Sequence, residues 1–201
     1  MYKRQGKSYV VKRGTGGLGM KIVNSDDTFE KYIKDAGMTF KMNTKLGREQ
    51  EPARDKLRDR AREIASKKKG NYVDGRLGLI IDGTGKEYDK IAKQATGLKQ
   101  LGYDVHMIFV NTSLETALKR NAARERTVPR SIATKSWKTV QSNMGKFSQY
   151  FRQNFIVVDN NDSDEDVMGP VYKQVMSLAK KKVQNKTGLN WIQGELDKKK
   201  R

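Results

Sequence analysis

Cysteine is missing altogether, which excludes disulfides and thiolate chemistry and leaves a reducing compartment open. Histidine occurs once, at His106 inside an expected strand, where it reads as a structural residue. No apolar run approaches the length of a membrane span, and no charged start leads into an apolar signal core. No internal repeat is visible. Acidic residues are scarce beside basic ones: 23 Asp and Glu face 42 Lys and Arg, for a formal charge of +19. That excess predicts attraction to phosphate-rich partners, nucleic acid among them, although a lysine-rich surface also serves solubility. The 201 residues suffice for one ordinary α/β domain and hardly for two. The sequence reads as a soluble, cytoplasmic protein.

What is present is densest between Asp104 and Pro129. Val105 to Val110 is a β-branched and aromatic run with polar flanks, which predicts a buried strand. Thr112 or Ser113 supplies an N-cap oxygen, and Glu115 falls in the first turn, where the helix dipole favours negative charge. Leu114, Ala117 and Leu118 share one helical face. Arg120, Arg124, Arg126 and Arg130 follow around Val128-Pro129, four guanidiniums within eleven residues. If they converge they form a movable anion clamp, a lid over about residues 119–136; otherwise they form a solvated basic face.

The chain starts oddly. Met1 to Gln5 shows no periodicity and runs into Gly6-Lys7-Ser8, the end of a phosphate-binding loop whose full form is G-x-x-x-x-G-K-[ST] after an apolar strand. Neither the first glycine of that loop nor the strand is there, and the first five residues resemble a translated sequencing adapter. Residues 1–5 are therefore expected to be a non-native leader, with the natural sequence beginning at Gly6.

Met20 to Val23 predicts a short strand, with Asn24-Ser25-Asp26-Asp27 at its carboxyl end and Phe29, Tyr32 and Ile33 at helical spacing beyond. Carboxylates at such a junction face the crevice where open α/β sheets bind ligands, although one aspartate is expected only to cap the helix. Residues 39–50 carry no periodic signal. Pro52 opens a charged helix from Ala53 to Lys69, read as a solvated face with a thin stripe of Leu57, Ile64 and Ala65. Leu77 to Ile81 is apolar almost throughout, as in a parallel strand covered on both faces, and Asp82-Gly83-Thr84-Gly85-Lys86 ends it. A helix over Glu87–Leu101 follows. Ser131–Phe151 is expected to be helical, anchored by Ile132, Trp137 and Val140, with Phe155–Val158 as another buried strand. Asp164–Lys182 reads as a helix interrupted by Gly169-Pro170, and residues 183–201 as a frayed basic tail. The alternation of strand and helix predicts an α/β, doubly wound parallel sheet with helices on both faces and its first strand missing.

Four motifs in order, Gly6-Lys7-Ser8, Val-Asn-Ser-Asp-Asp, Ile-Ile-Asp-Gly-Thr-Gly-Lys and Lys-Arg-Asn-Ala-Ala-Arg-Glu-Arg-Thr-Val-Pro, resemble the P-loop kinases that include zeta toxins and phage 5′-hydroxyl polynucleotide kinases. The resemblance covers residues 6 to about 160, within an expected domain over 6–182. The third motif is nearer the zeta group, the fourth nearer the polynucleotide kinases. The resemblance implies an ATP- or GTP-dependent, Mg²⁺-requiring kinase acting on a hydroxyl of a nucleotide-sugar, nucleoside or polynucleotide. Gly6 and Lys7 would cradle phosphate and Ser8 would hold Mg²⁺. Asp26 is the expected base, with Asp27 in reserve because aligning on Thr28-Phe29 favours it. Asp82 and Thr84 match acceptor-site residues, Arg120 and Arg124 the lid arginines, and Arg126 and Arg130 extend that set.

Two departures weaken it. Polynucleotide kinases carry an arginine shortly after the base, where Thr28, Phe29 and Glu30 stand here, which puts a nucleic-acid acceptor in doubt. The absent loop and strand make the chain an expected inactive fragment of an active enzyme. The alternative is a basic nucleic-acid-binding module without phosphoryl transfer, held by counterion release.

Overall fold

The computed structural model describes residues 19–42, 44–124, 126–161 and 168–200, with main chain alone at 168–172. These divide into two compact units, one of the described residues up to Gly83 with Thr112–Lys138, the other of Thr84–Asn111 with the described residues from Thr139 onward.

The first unit begins with β1 (Lys21–Val23), followed by α1 (Asp26–Asp35). Phe29 and Ile33, one helical turn apart, are 2% and 0% exposed. Each contributes about 1.5–3 kcal/mol by leaving water. They pack with Ala61 and Met42, and Leu57 and Val128 close over them. Past the helix Gly37 takes φ +62°, which lets Gly37 N and Met38 N donate back to Lys34 O and Ile33 O.

The aperiodic stretch after α1 is structured. It contains α2 (Lys45–Glu49), capped by Thr44 Oγ1, which accepts from Gly47 N at 3.1 Å. α3 (Glu51–Asp74) runs longer than expected at both ends. Its charged face is laced by pairs one turn apart, Arg58 with Asp55 and Lys67 with Glu63, as a solvated face requires. Arg58 and Arg60 also lie over the Phe29 and Tyr32 rings at 4.9 and 5.4 Å.

β2 (Leu79–Ile81) pairs in parallel with β1, Val23 opposite Ile81. Cover on both faces is not observed: Leu77 is 36% and Ile81 38% exposed. The reason is pairing, because among the described residues β2 has one hydrogen-bonded neighbour. α5 (Leu114–Ala122) is capped by Ser113, whose side chain accepts from Thr116 N, as expected. α6 (Arg130–Phe151) starts in this unit and continues in the other. Ile132 is no anchor, being 55% exposed, whereas Trp137 donates through Nε1 to Thr112 O at 2.8 Å.

The second unit holds α4 (Tyr88–Gln100), β3 (Met107–Asn111) and β4 (Phe155–Asp159). β3 and β4 are parallel from Met107 opposite Phe155 to Asn111 opposite Asp159. The expected buried strand after α6 is only half realised, with Val158 8% and Val157 44% exposed. Ala95, Phe109, Phe147 and Phe151 form the core, rimmed by Val140. His106 stands just before β3; burial first, then Lys181, lowers its pKa against the pull of Asp104, so it is neutral near pH 7 as a structural residue.

The described strands are thus all parallel, as expected, but hydrogen-bond into two two-stranded sheets where a single sheet was expected. The expected helix over Asp164–Lys182, interrupted at Gly169-Pro170, falls partly on residues 162–167, outside the described ones; its described part is α7 (Met168–Ala179). One further expectation changes. The tail is a capped helix, α8 (Lys186–Lys199). Asn185 Oδ1 accepts from Thr187 N at 3.0 Å, and its Nδ2 donates to Lys99 O and Tyr103 O at 2.7 and 3.2 Å. Gly188 lies against Gly102, whose carbonyl a Cβ on Gly188 would strike. Gly188→Ala should therefore lower stability by about 1–3 kcal/mol, read as a fall in the urea midpoint; an unchanged midpoint would mean that α8 is not docked.

Candidate active site

The parallel pairing of β1 and β2 brings two polar residues together at their carboxyl ends, where ligands bind in open α/β sheets. Asp82 N donates to Val23 O at 3.0 Å, and Asn24 Nδ2 donates to Asp82 Oδ2 at 2.8 Å. The other end of the Asn24 amide, Oδ1, accepts from Asp26 N at 2.7 Å. Asn24 thus joins Asp82 to the start of α1, whose N-cap position, Ser25, makes no side-chain cap bond.

Asp26 and Glu30 are four residues apart on α1, hence on one face. Both meet Arg126: Nη2 lies 3.6 Å from Asp26 Oδ2, and Nε lies 3.6 Å from Glu30 Oε1. The guanidinium also stands 5.7 Å from the Phe29 ring centre. Arg124 belongs to the same electrostatic cluster. Burial among surrounding atoms lowers its pKa first, then repulsion from Arg126 and Arg120, while Asp26 and Glu30 oppose the shift. The residue as a whole keeps access to solvent. Arg126 thus meets two carboxylates, with Arg124 within electrostatic reach of them and of Arg120. The contacts to Arg126 are long, and Asp26 is 52% exposed, so these pairs contribute little to stability and an incoming anion can displace them.

α5 ends at Ala122, so Arg124 lies beyond the helix and does not share a helical face with Arg120. Arg120 is half-buried in the last turn. The fourth arginine, Arg130, is exposed on the first residue of α6, outside the network around Arg126.

Asp27 faces elsewhere. It lines an open groove of about 360 Å³ with Thr28, Lys31, Tyr32, Ile64 and Lys68. Thr84 belongs to the second unit, in the turn before α4, where Asn143 Nδ2 donates to Gly85 O and Lys86 O at 3.1 and 2.9 Å. Gly6, Lys7 and Ser8 lie outside the described residues. Among the described residues no group of three or more His, Asp or Glu side chains could hold a metal.

Sequence reasoning gave no role to Asn24, Glu30 or Asn121. Glu30 carried a usable signal, its four-residue spacing from Asp26. The two asparagines act through partners that spacing does not reveal.

A family model described as an AAA domain matches residues 5–147, well over half of the chain. The chain belongs to the AAA domain family. This is a P-loop, kinase-like family, and membership supports a nucleotide-binding, kinase-like function. The matched span contains Gly6-Lys7-Ser8, Asp26, Asp82 and the whole arginine segment, and it ends inside α6. No curated protein and no solved structure matches the chain. Among the described residues no helix is long and apolar enough to cross a membrane.

Proposed function

We propose that this AAA domain protein is a kinase that transfers the γ-phosphoryl group of ATP or GTP to a hydroxyl of a nucleotide-sugar, nucleoside or polynucleotide. The observation that supports it most is the pairing of Arg126 with Asp26 and Glu30 just past the carboxyl end of β1, with Arg124 within electrostatic reach of the same carboxylates. The reading assumes a doubly wound P-loop sheet.

The acceptor hydroxyl donates its proton to Asp26 as its oxygen attacks the γ-phosphorus, and the nucleoside diphosphate leaves. Arg126 first pairs with Asp26 and Glu30; phosphate oxygens then compete for the guanidinium, which frees the base. Arg120 and Arg124 add positive charge where negative charge spreads over the transferring group. Lys7 meets the β and γ oxygens, and Gly6 supplies a backbone amide. Asp82, held by Asn24, orients the acceptor or a water. Mg²⁺ when bound neutralises phosphate charge, with Ser8 and Asp82 as the residues that would hold it or its water.

The test is transfer of labelled γ-phosphate with Mg²⁺ to three acceptor classes: nucleotide-sugars, nucleosides and 5′-hydroxyl oligonucleotides. The protein used carries a complete G-x-x-x-x-G-K-S loop after an apolar strand. Label on the hydroxyl of one class is expected. Labelled inorganic phosphate with no labelled acceptor in any class would reduce the protein to a hydrolase and overturn the proposal.

A further inference from the structure

The connection between α5 and α6 carries Arg124 and Arg126 on irregular chain. Like charges brought together repel, and the carboxylates 3.6 Å from Arg126 offset that only in part, so bonds of another kind help to hold the loop. The Asn121 carboxamide supplies such bonds: Nδ2 donates to Val128 O at 2.9 Å, and Oδ1 accepts from Val128 N at 3.2 Å. One neutral side chain thus satisfies both backbone groups of the residue before Pro129. The same end is held from a second direction. Met42 N donates to Thr127 O at 3.3 Å, and Lys41 and Thr127 form a parallel bridge. Beneath them Gly47 packs on Lys41 and Met42 with no room for a Cβ, and the buried Arg54 donates through Nη1 to Gly47 O at 2.7 Å.

We propose that Asn121 is a positioning residue whose paired bonds to Val128 hold the two ends of the connection between α5 and α6 together against the repulsion among Arg120, Arg124 and Arg126, so that the three form one anion site. This rests on reading those arginines as the clamp for nucleotide phosphates. It also gives a physical reason for the seven-residue spacing of Asn121 and Val128 in this chain: a short polar side chain closes a loop of that length without adding charge.

The test uses the full chain with inorganic pyrophosphate as probe. Asn121→Ala, and Asn121→Ser with a hydroxyl too short to span both groups, are compared with Trp137→Phe. The last deletes a side-chain-to-backbone bond in the same unit and leaves the loop untouched. Two quantities are read, amide exchange across residues 120–128 and pyrophosphate affinity. Both Asn121 variants should raise exchange at Val128 and weaken pyrophosphate by about tenfold, the effect of losing one to two hydrogen bonds. Trp137→Phe should do neither. Unchanged affinity in the Asn121 variants, an equal loss in Trp137→Phe, or a wild-type chain that does not bind pyrophosphate would each overturn the assignment. If pyrophosphate binding depends on Asn121 while no acceptor is ever labelled, the assignment stands and the kinase reading fails.

Discussion

Asp26→Asn should lower phosphoryl transfer by about 10²–10⁴-fold, the usual worth of a positioned general base. It should leave nucleotide affinity unchanged or raised, in a chain carrying the complete phosphate-binding loop. The substitution keeps volume and hydrogen bonding but removes the proton acceptor. It also removes one of the two carboxylates that occupy Arg126 at 3.6 Å, so the guanidinium becomes freer to meet phosphate. A fall in kcat without a rise in nucleotide KM is the signature. Asp27→Asn is the paired control, because Asp27 lines the groove with Lys31 and Lys68, away from the arginines. Collapse in Asp27→Asn with normal turnover in Asp26→Asn would move the base by one residue.

Arg126→Lys should reduce transfer by about 10³-fold, near the lower range for removing a transition-state arginine. Lysine preserves the charge, so nucleotide binding falls much less. It cannot reproduce the planar fork that places Nη2 and Nε toward two oxygens at once, the geometry already visible with Asp26 and Glu30. Kinetics at saturating nucleotide distinguish the cases. Wild-type kcat in Arg126→Lys would return the cluster to a plain basic surface.

The elements legible in the sequence were those whose signal is local. Ser113 capping α5 and the apolar run giving β3 follow from residue type and order alone. Ile132 misled because a helical apolar position implies burial only where something packs on it. The fraying expected of the tail followed from its lysines, whereas docking depends on Gly188 meeting Gly102, a contact 86 residues apart in sequence that composition cannot show. At the site, carboxylates and arginines were readable as charges, and Asp26 with Asp27 stayed open because neighbouring residues share a motif. Their side chains diverge by about 100° on a helix, and only the packed chain separates the one beside Arg126 from the one in the groove. Asn24 and Asn121 were illegible as site residues, because Asn24 reaches the Asp82 carboxylate from a distant part of the chain and Asn121 both backbone groups of Val128, pairings that residue type alone does not show.

The most direct measurement is Mg²⁺-nucleotide binding and transfer as a function of salt, for the loop-complete chain and its Lys7→Ala variant. A kinase built on a phosphate-binding loop should lose turnover by orders of magnitude in Lys7→Ala at every salt concentration, with the fold retained. The contradicting result is turnover indifferent to Lys7→Ala, together with polyanion affinity that falls steeply with salt in both proteins, which is the behaviour of a basic nucleic-acid-binding surface.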